Sequence, residues 1–97
     1  MVRIIVERRV KEGKDNDLLE MLRELRARAL HQPGYVSGET LVGNDDPSLY
    51  VVISNWASGE DWEKWANSKQ RKDLDEKIKP LLSTPSQVTV LRYLERT

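Results

Sequence analysis

Few side chains in this chain can carry chemistry, because it holds one histidine and no cysteine. His31 has the ordinary pKa nearest neutrality, which makes it a general-base candidate. It stands beside Pro33-Gly34, where a histidine ending a helix also caps carbonyls and complements the helix dipole. Arg8, Asn55 and Arg92 each interrupt an aliphatic stretch that reads as a strand. A charged group on an inward face is costly unless it is paired or lines a wet cavity. In a pocket, such guanidinium groups would stabilise an anionic substrate, for example a phenolate, by lowering its pKa. At strand ends, or paired with Glu7, Glu39 or Glu95, they would be structural. Trp62 and Trp65 share one helix face by their spacing. They read as core, or as a wall on which an aromatic substrate stacks, with the indole N–H as a directional donor. Tyr35 and Tyr93 are further hydrogen-bond donors.

Other chemistry is excluded by what the residues lack. Without cysteine there is no disulfide framework, thiolate metal site or Cys nucleophile. Asp15-Asn16-Asp17 and Asp45-Asp46 supply too few ligands at calcium-loop spacing, so they read as turn and N-cap residues and no metal is expected. No Gly-rich phosphate cradle, nucleophile elbow or dinucleotide fingerprint is present. Sixteen basic residues balance sixteen acidic ones over 97 residues, which argues against a nucleic-acid partner. Lys69, Arg71, Lys72, Lys77 and Lys79 alternate with Asp73, Asp75 and Glu76, the pattern of a solvated helix face. RNA-recognition modules share a similar strand-helix order, but Leu49-Tyr50-Val51-Val52-Ile53-Ser54-Asn55-Trp56 lacks their Gly-aromatic pattern. No apolar run approaches membrane-spanning length, and Val2-Arg3-Ile4-Ile5-Val6 is not a signal-peptide pattern. A cytoplasmic location and no membrane partner are therefore expected.

The elements that must position these groups can be read from periodicity. Val2, Ile4, Val6 and Val10 alternate with polar residues and predict a strand over 2–10. Lys11-Glu12-Gly13-Lys14-Asp15 supplies turn and N-cap chemistry. Leu18, Leu22, Leu25 and Ala29 then recur at helical spacing through about residue 31, until Pro33-Gly34 stops the helix. Tyr35 to Val42 and Leu49 to Trp56 read as two strands joined by Gly43-Asn44-Asp45-Asp46-Pro47. Ser58-Gly59-Glu60-Asp61 has the form of a capping box opening a helix with Trp62, Trp65 and Ala66 on one face. Asn67-Ser68 kinks or restarts it, and Leu74, Ile78, Leu81 and Leu82 carry a stripe that ends near Pro80. Gln87 to Glu95 is the last strand.

The order β-α-β-β-α-β predicts an α+β, ferredoxin-like split βαβ fold on a four-stranded antiparallel sheet, in one domain over residues 1–97. Alternation places Ile4, Val6, Val51, Ile53, Val88 and Val90 on the face that the helices cover. It leaves Ile5, Tyr50, Val52, Trp56, Leu91 and Tyr93 on the other. An aromatic-rich open face predicts a homodimer packing sheet against sheet. A slip of one residue would exchange the two faces.

Two segments carry a family resemblance. One is the junction Gln32-Pro33-Gly34-Tyr35-Val36-Ser37-Gly38-Glu39-Thr40-Leu41. The other is Trp56-Ala57-Ser58-Gly59-Glu60-Asp61-Trp62-Glu63-Lys64-Trp65 with Asn67-Ser68 after it. Through them the sequence resembles the antibiotic biosynthesis monooxygenase family of dimeric α+β barrels, over nearly the whole chain. The resemblance implies a pocket between helices and sheet, lined by a tryptophan at the position of Trp65. That family includes cofactor-free oxygenases of polycyclic phenols and quinols, and haem-degrading enzymes. The haem-degrading branch requires an asparagine on the first strand and a histidine along the second helix; Arg8 and Asp75 stand at those positions. The expectation is a homodimeric, cofactor-independent oxygenase acting on an electron-rich aromatic substrate without metal or flavin. Trp65 would pack the ring, with Trp62, Tyr35 and Asn55 as further substrate contacts. Arg8 or Arg92 would hold the anion, and His31 would take the proton. The alternative is a non-catalytic dimer that sequesters a small hydrophobic molecule.

Overall fold

A computed structural model describes residues 1–95. β-Branched residues dominate the first strand, β1 (Val2–Arg9), which lies in the middle of the sheet. It is followed by helix α1 (Asp15–Ala29), strands β2 (Tyr35–Val42) and β3 (Leu49–Trp56), helices α2 (Gly59–Ala66) and α3 (Lys69–Ile78), and strand β4 (Gln87–Arg92). A 3₁₀ turn, Lys79–Leu81, carries Pro80 where the helix can no longer continue. The strands pair in the order β2-β3-β1-β4, and every pairing is antiparallel. This is the ferredoxin-like arrangement that the element order predicts.

Local chemistry explains the element ends. In α1, Asp15 and Asp17 sit in the first turn and Arg26 and Arg28 in the last, complementing the dipole at both ends. The expected side-chain cap is absent, however. Lys14 occupies the N-cap without a side-chain bond, while the Asp15 carboxylate accepts from the Tyr50 hydroxyl at 3.0 Å. The helix stops at Ala29, two residues earlier than its periodicity suggests, because the chain must turn toward β2 through Gly34 at φ +85°. A Cβ at Gly34 would also collide with the Asp61 side chain, so this glycine lets the α1–β2 junction sit against the start of α2.

Ser58 caps α2 as expected, its hydroxyl accepting from the Asp61 amide at 3.1 Å. At Asn67-Ser68 the helix restarts: Ser68 accepts from the Arg71 amide at 3.2 Å and opens α3. In the β2–β3 turn, Asp46 accepts from the Ser48 hydroxyl at 2.6 Å and pairs with Arg9. The Ser48 hydrogen bond and then the Arg9 interaction hold its carboxyl below the usual carboxylate value. That is the turn role expected of Asp45-Asp46.

The register corrects the assignment of faces. Ile4 stands opposite Ser54, Val6 opposite Val52 and Arg8 opposite Tyr50, so these residues share one side of the sheet. Tyr50, Val52 and Trp56 therefore point to the helices, and Val51 and Ile53 to the open face, the reverse of the sequence expectation. The slip arises because Val51-Val52-Ile53 is apolar throughout, so period-two alternation has no phase there. Ile5 and Leu91 lie on the open face as expected.

Two core clusters hold the helices to the sheet. One gathers Ile4, Val6, Ala29, Trp56, Trp62 and Trp65; the other gathers Val10, Leu18, Leu22, Tyr50, Ile78 and Leu82. Leu25 packs against both. The helices stop short of β4, whose residues are exposed at every position, Val88 and Val90 included. That strand also ends at Arg92, before the expected Glu95. Val10 lies beyond β1 and makes an isolated bridge to Leu82.

Candidate functional site

Between α1, α2, α3 and the sheet the core does not close. A half-open cavity remains, with about 60 Å³ within reach of the centres of water molecules. Leu22 of the second core cluster and Trp56, Trp62 and Trp65 of the first all line it, so it lies at the seam between the two. Val6, Val52 and Ser54 lie on its sheet side, Leu25, Arg26 and Ala29 come from α1, and Tyr35 comes from β2.

Its aromatic side is a connected row. The Tyr35 and Trp56 rings meet edge to face with centroids 5.4 Å apart, and Trp56 meets Trp62 in the same way at 5.8 Å. The Trp56 indole N–H donates to the Ser54 hydroxyl at 3.1 Å, which satisfies a buried donor and fixes the ring. The Arg71 guanidinium lies 4.7 Å from the Trp62 ring centroid and ends the row with a cation–π contact. Gly38 makes room for this wall, since a Cβ there would come within 2.5 Å of the Tyr35 hydroxyl.

Arg26 and Glu39 line the cavity as well, and its buried charges are Arg8 and Arg71, 3% and 7% exposed respectively. Both turn to Asp75: Arg71 Nε donates to it at 3.3 Å, while Arg8 reaches it only at 3.9 Å, beyond hydrogen-bond distance. Asp75 itself is 43% exposed. Burial, reinforced by repulsion from Arg71 and opposed by Asp75, pushes Arg8 down to about 10. Burial also lowers Arg71, against the attraction of Asp75. Both remain cationic at neutral pH. Arg8 also borders a second cavity of about 410 Å³, between α3 and residues 82–86, which Asp75 lines as well.

The structure brings four of the expected site residues together at the first cavity: Arg8, Trp65, Trp62 and Tyr35. Three others lie elsewhere. His31 is exposed in the turn after α1 and is not among the lining residues. Arg92 faces the helix side by its register with Val2, but on the uncovered edge strand it is exposed and remote from the lining. Asn55 points to the open face, where its amide donates to Ser37 Oγ at 3.0 Å and accepts from Arg3 at 3.3 Å. Arg8 pairs with none of Glu7, Glu39 or Glu95; its acidic neighbour is Asp75, the other position at which the chain departs from the haem-degrading pattern.

Arg71 was hidden by its neighbours. Read as part of a solvated basic face, it is in fact buried with Leu74 and Ile78. The spacing Arg71, Leu74, Ile78 follows the helical apolar stripe, and this was the signal that could have found it. The arginine replaces an apolar residue at the head of that stripe, where Trp62 receives it.

Comparison with known proteins gives the same fold and a family. The chain is 26% identical over 92 residues to the 42.8 kDa protein of the whiE locus of Streptomyces coelicolor, covering 95% of this chain and 22% of that protein. The chain thus spans about a fifth of the length of the curated relatives it matches. Rv0793 from Mycobacterium tuberculosis superposes with a TM-score of 0.88 at 19% identity, over 98% of this chain and 96% of the other. SnoaB, a cofactor-independent oxygenase from Streptomyces nogalater, superposes with a TM-score of 0.87 at 16% identity, over 98% and 94%. At such identities the superpositions establish the fold. The sequence model of antibiotic biosynthesis monooxygenases matches residues 1–77, from β1 through nearly all of α3, and on that match this chain belongs to the antibiotic biosynthesis monooxygenase family.

Proposed function

We propose that this protein is a cofactor-independent oxygenase of electron-rich aromatic substrates of the phenol, quinol or anthrone type. The observation that carries this reading is the aromatic-walled cavity ending on buried Arg8. Trp65 and Trp62 pack the flat ring, and the cationic end favours the substrate anion over its conjugate acid. The anion then gives one electron to O2, and the radical pair combines to a peroxide. Loss of water leaves a carbonyl, so one oxygen atom enters the product and the other departs as water. The substrate supplies all the electrons. The protein contributes positioning, charge stabilisation and partial exclusion of water.

Membership of the family and the likeness to SnoaB support this reading. His31 has no part in it from its exposed turn, so the proton passes to water at the open side of the cavity. The test is oxygen uptake with a panel of anthrones and quinols. Uptake above the blank is expected, and Trp65→Phe, which shrinks the wall and removes the indole N–H, is expected to lower kcat/KM about tenfold. Uptake equal to the blank across the panel, unchanged in the variant, would remove the oxygenase reading. A second reading is favoured by the lack of a histidine among the described lining residues: capture of a small hydrophobic molecule without turnover. A co-purified ligand that survives incubation in air would support it.

The working unit is a homodimer closed through the open sheet face. Ile5, Val51, Ile53 and Leu91 lie there by register, and Leu91 is 43% exposed. Light scattering is expected to give twice the chain mass at micromolar concentration. Ile53→Asp places like charges on both sides of a two-fold interface and is expected to weaken association at least about thirtyfold. Dimer mass retained by that variant would move the interface elsewhere.

A further inference from the structure

The oxygenase reading asks of the cationic end only that it favour a substrate anion. Its construction is more specific. Arg8 is 3% exposed, yet its ion-pair partner Asp75 lies at 3.9 Å, beyond hydrogen-bond distance. Arg8 nonetheless lines both cavities, whereas Asp75 lines the larger and Arg71 the smaller. Asp75 contacts both arginines, Arg71 through a hydrogen bond and Arg8 as a longer ion pair. Arg8 and Arg71, together with Arg26 and Glu39, line the aromatic cavity, which Asp75 does not line.

A buried guanidinium with open donors is stabilised by an oxyanion that accepts two of them at once. The charge balance limits that oxyanion. Arg8, Arg71 and Arg26 against Asp75 and Glu39 leave a single positive charge, which a monoanion neutralises and a phosphate dianion would overshoot. The fork of a guanidinium also matches the two oxygens of a carboxylate better than the single oxygen of a phenolate. The neighbouring wall, Trp62 and Trp65, requires the rest of the ligand to be flat and apolar.

We infer that Arg8 and Arg71 form a clamp for a carboxylate carried by the aromatic ligand, so that this site selects aryl carboxylic acids over their neutral analogues. The inference rests on the proposed ligand cavity and narrows its substrate class. The ligand carboxylate bridges the two guanidinium groups on the cavity side, and Asp75 remains their shared counter-ion. Arg71 is a binding residue in this scheme, held in place by Trp62 beneath it and by Asp75 at its Nε.

Binding is measured by titration calorimetry under argon at pH 7, with 3-hydroxy-2-naphthoate and its primary amide as probes. The acid is expected to bind at least about tenfold more tightly than the amide. Arg8→Met and Arg71→Gln are each expected to bring the two affinities within about twofold, while Asp75→Asn tightens the acid alone. Equal binding of acid and amide by the unaltered protein overturns the clamp without reference to any variant. A preference that survives in both arginine variants, each shown to be folded by circular dichroism, overturns it too. Acid preference without oxygen uptake supports the clamp and removes the oxygenase reading. Uptake of oxygen with neutral anthrones and no acid preference does the opposite.

Discussion

Replacing Trp56 with alanine is expected to destabilise the fold by about 3–5 kcal/mol, a large share of the 5–15 kcal/mol of an ordinary domain. Trp56 is 1% exposed and among the largest fully buried side chains. Three separate losses combine there. The edge-to-face contacts with Tyr35 and Trp62 go, each worth about 0.5–1.5 kcal/mol beyond simple burial. The Ser54 hydroxyl loses its indole donor, and a void opens beside a cavity that already exists. The surrounding strands cannot collapse into it, because β3 pairs with both β1 and β2 over its length. Urea denaturation checks this at one fixed protein concentration, since association would shift the midpoint by mass action. A loss below about 1 kcal/mol would mean that Trp56 is not the centre of the aromatic row.

Replacing Arg8 with methionine is expected to act in the opposite direction and stabilise the fold. Burial holds Arg8 down at about 10, so the folded chain binds this proton less tightly than the unfolded chain. The penalty is fully present below that pH. It fades as pH rises from about 10 toward the ordinary arginine value, where the unfolded state also deprotonates. Its size is at most about 3 kcal/mol at neutral pH. Removing one partner of a buried pair normally strands the other, but Asp75 is 43% exposed and keeps its bond to Arg71. The gain is therefore expected at about 2–3 kcal/mol between pH 6 and 9, read as a higher denaturation midpoint with unchanged slope. A destabilised methionine variant would show that Arg8 is compensated in the empty site. Greater stability with weaker ligand binding is the expected trade-off at a functional position.

Much of the fold was legible because its signals are local. The apolar stripe of α1, Ser58 three residues before Asp61, and Pro33-Gly34 each act on their own few neighbours. The β1, β2 and β3 boundaries fell within a residue of expectation for the same reason. Trp62 and Tyr35 were identifiable as large aromatics on predicted elements, and Trp65 through the family resemblance, which implied a tryptophan lining the pocket at its position. His31 and Asn55 misled for a common reason: residue type suggested chemistry, but placement was decided by where a helix ended and which way a strand faced.

The chain by itself determined the element order, the capping of α2, and the family to which the segments around Pro33-Gly34 and Trp62 pointed. It could not determine which side of the sheet Val51-Val52-Ile53 offers to the helices, since three apolar residues in a row fit either side. Pairing with β1 settled that, setting Ser54 against Ile4 and turning Trp56 inward. The sequence aligns Arg71 with Leu74 and Ile78 on one helix stripe, but only the docking of α3 on Trp62 buried it and set it beside Arg8. Periodicity is a property of neighbours along the chain. A cavity is bounded by residues from six separate elements, and their meeting is decided by packing alone.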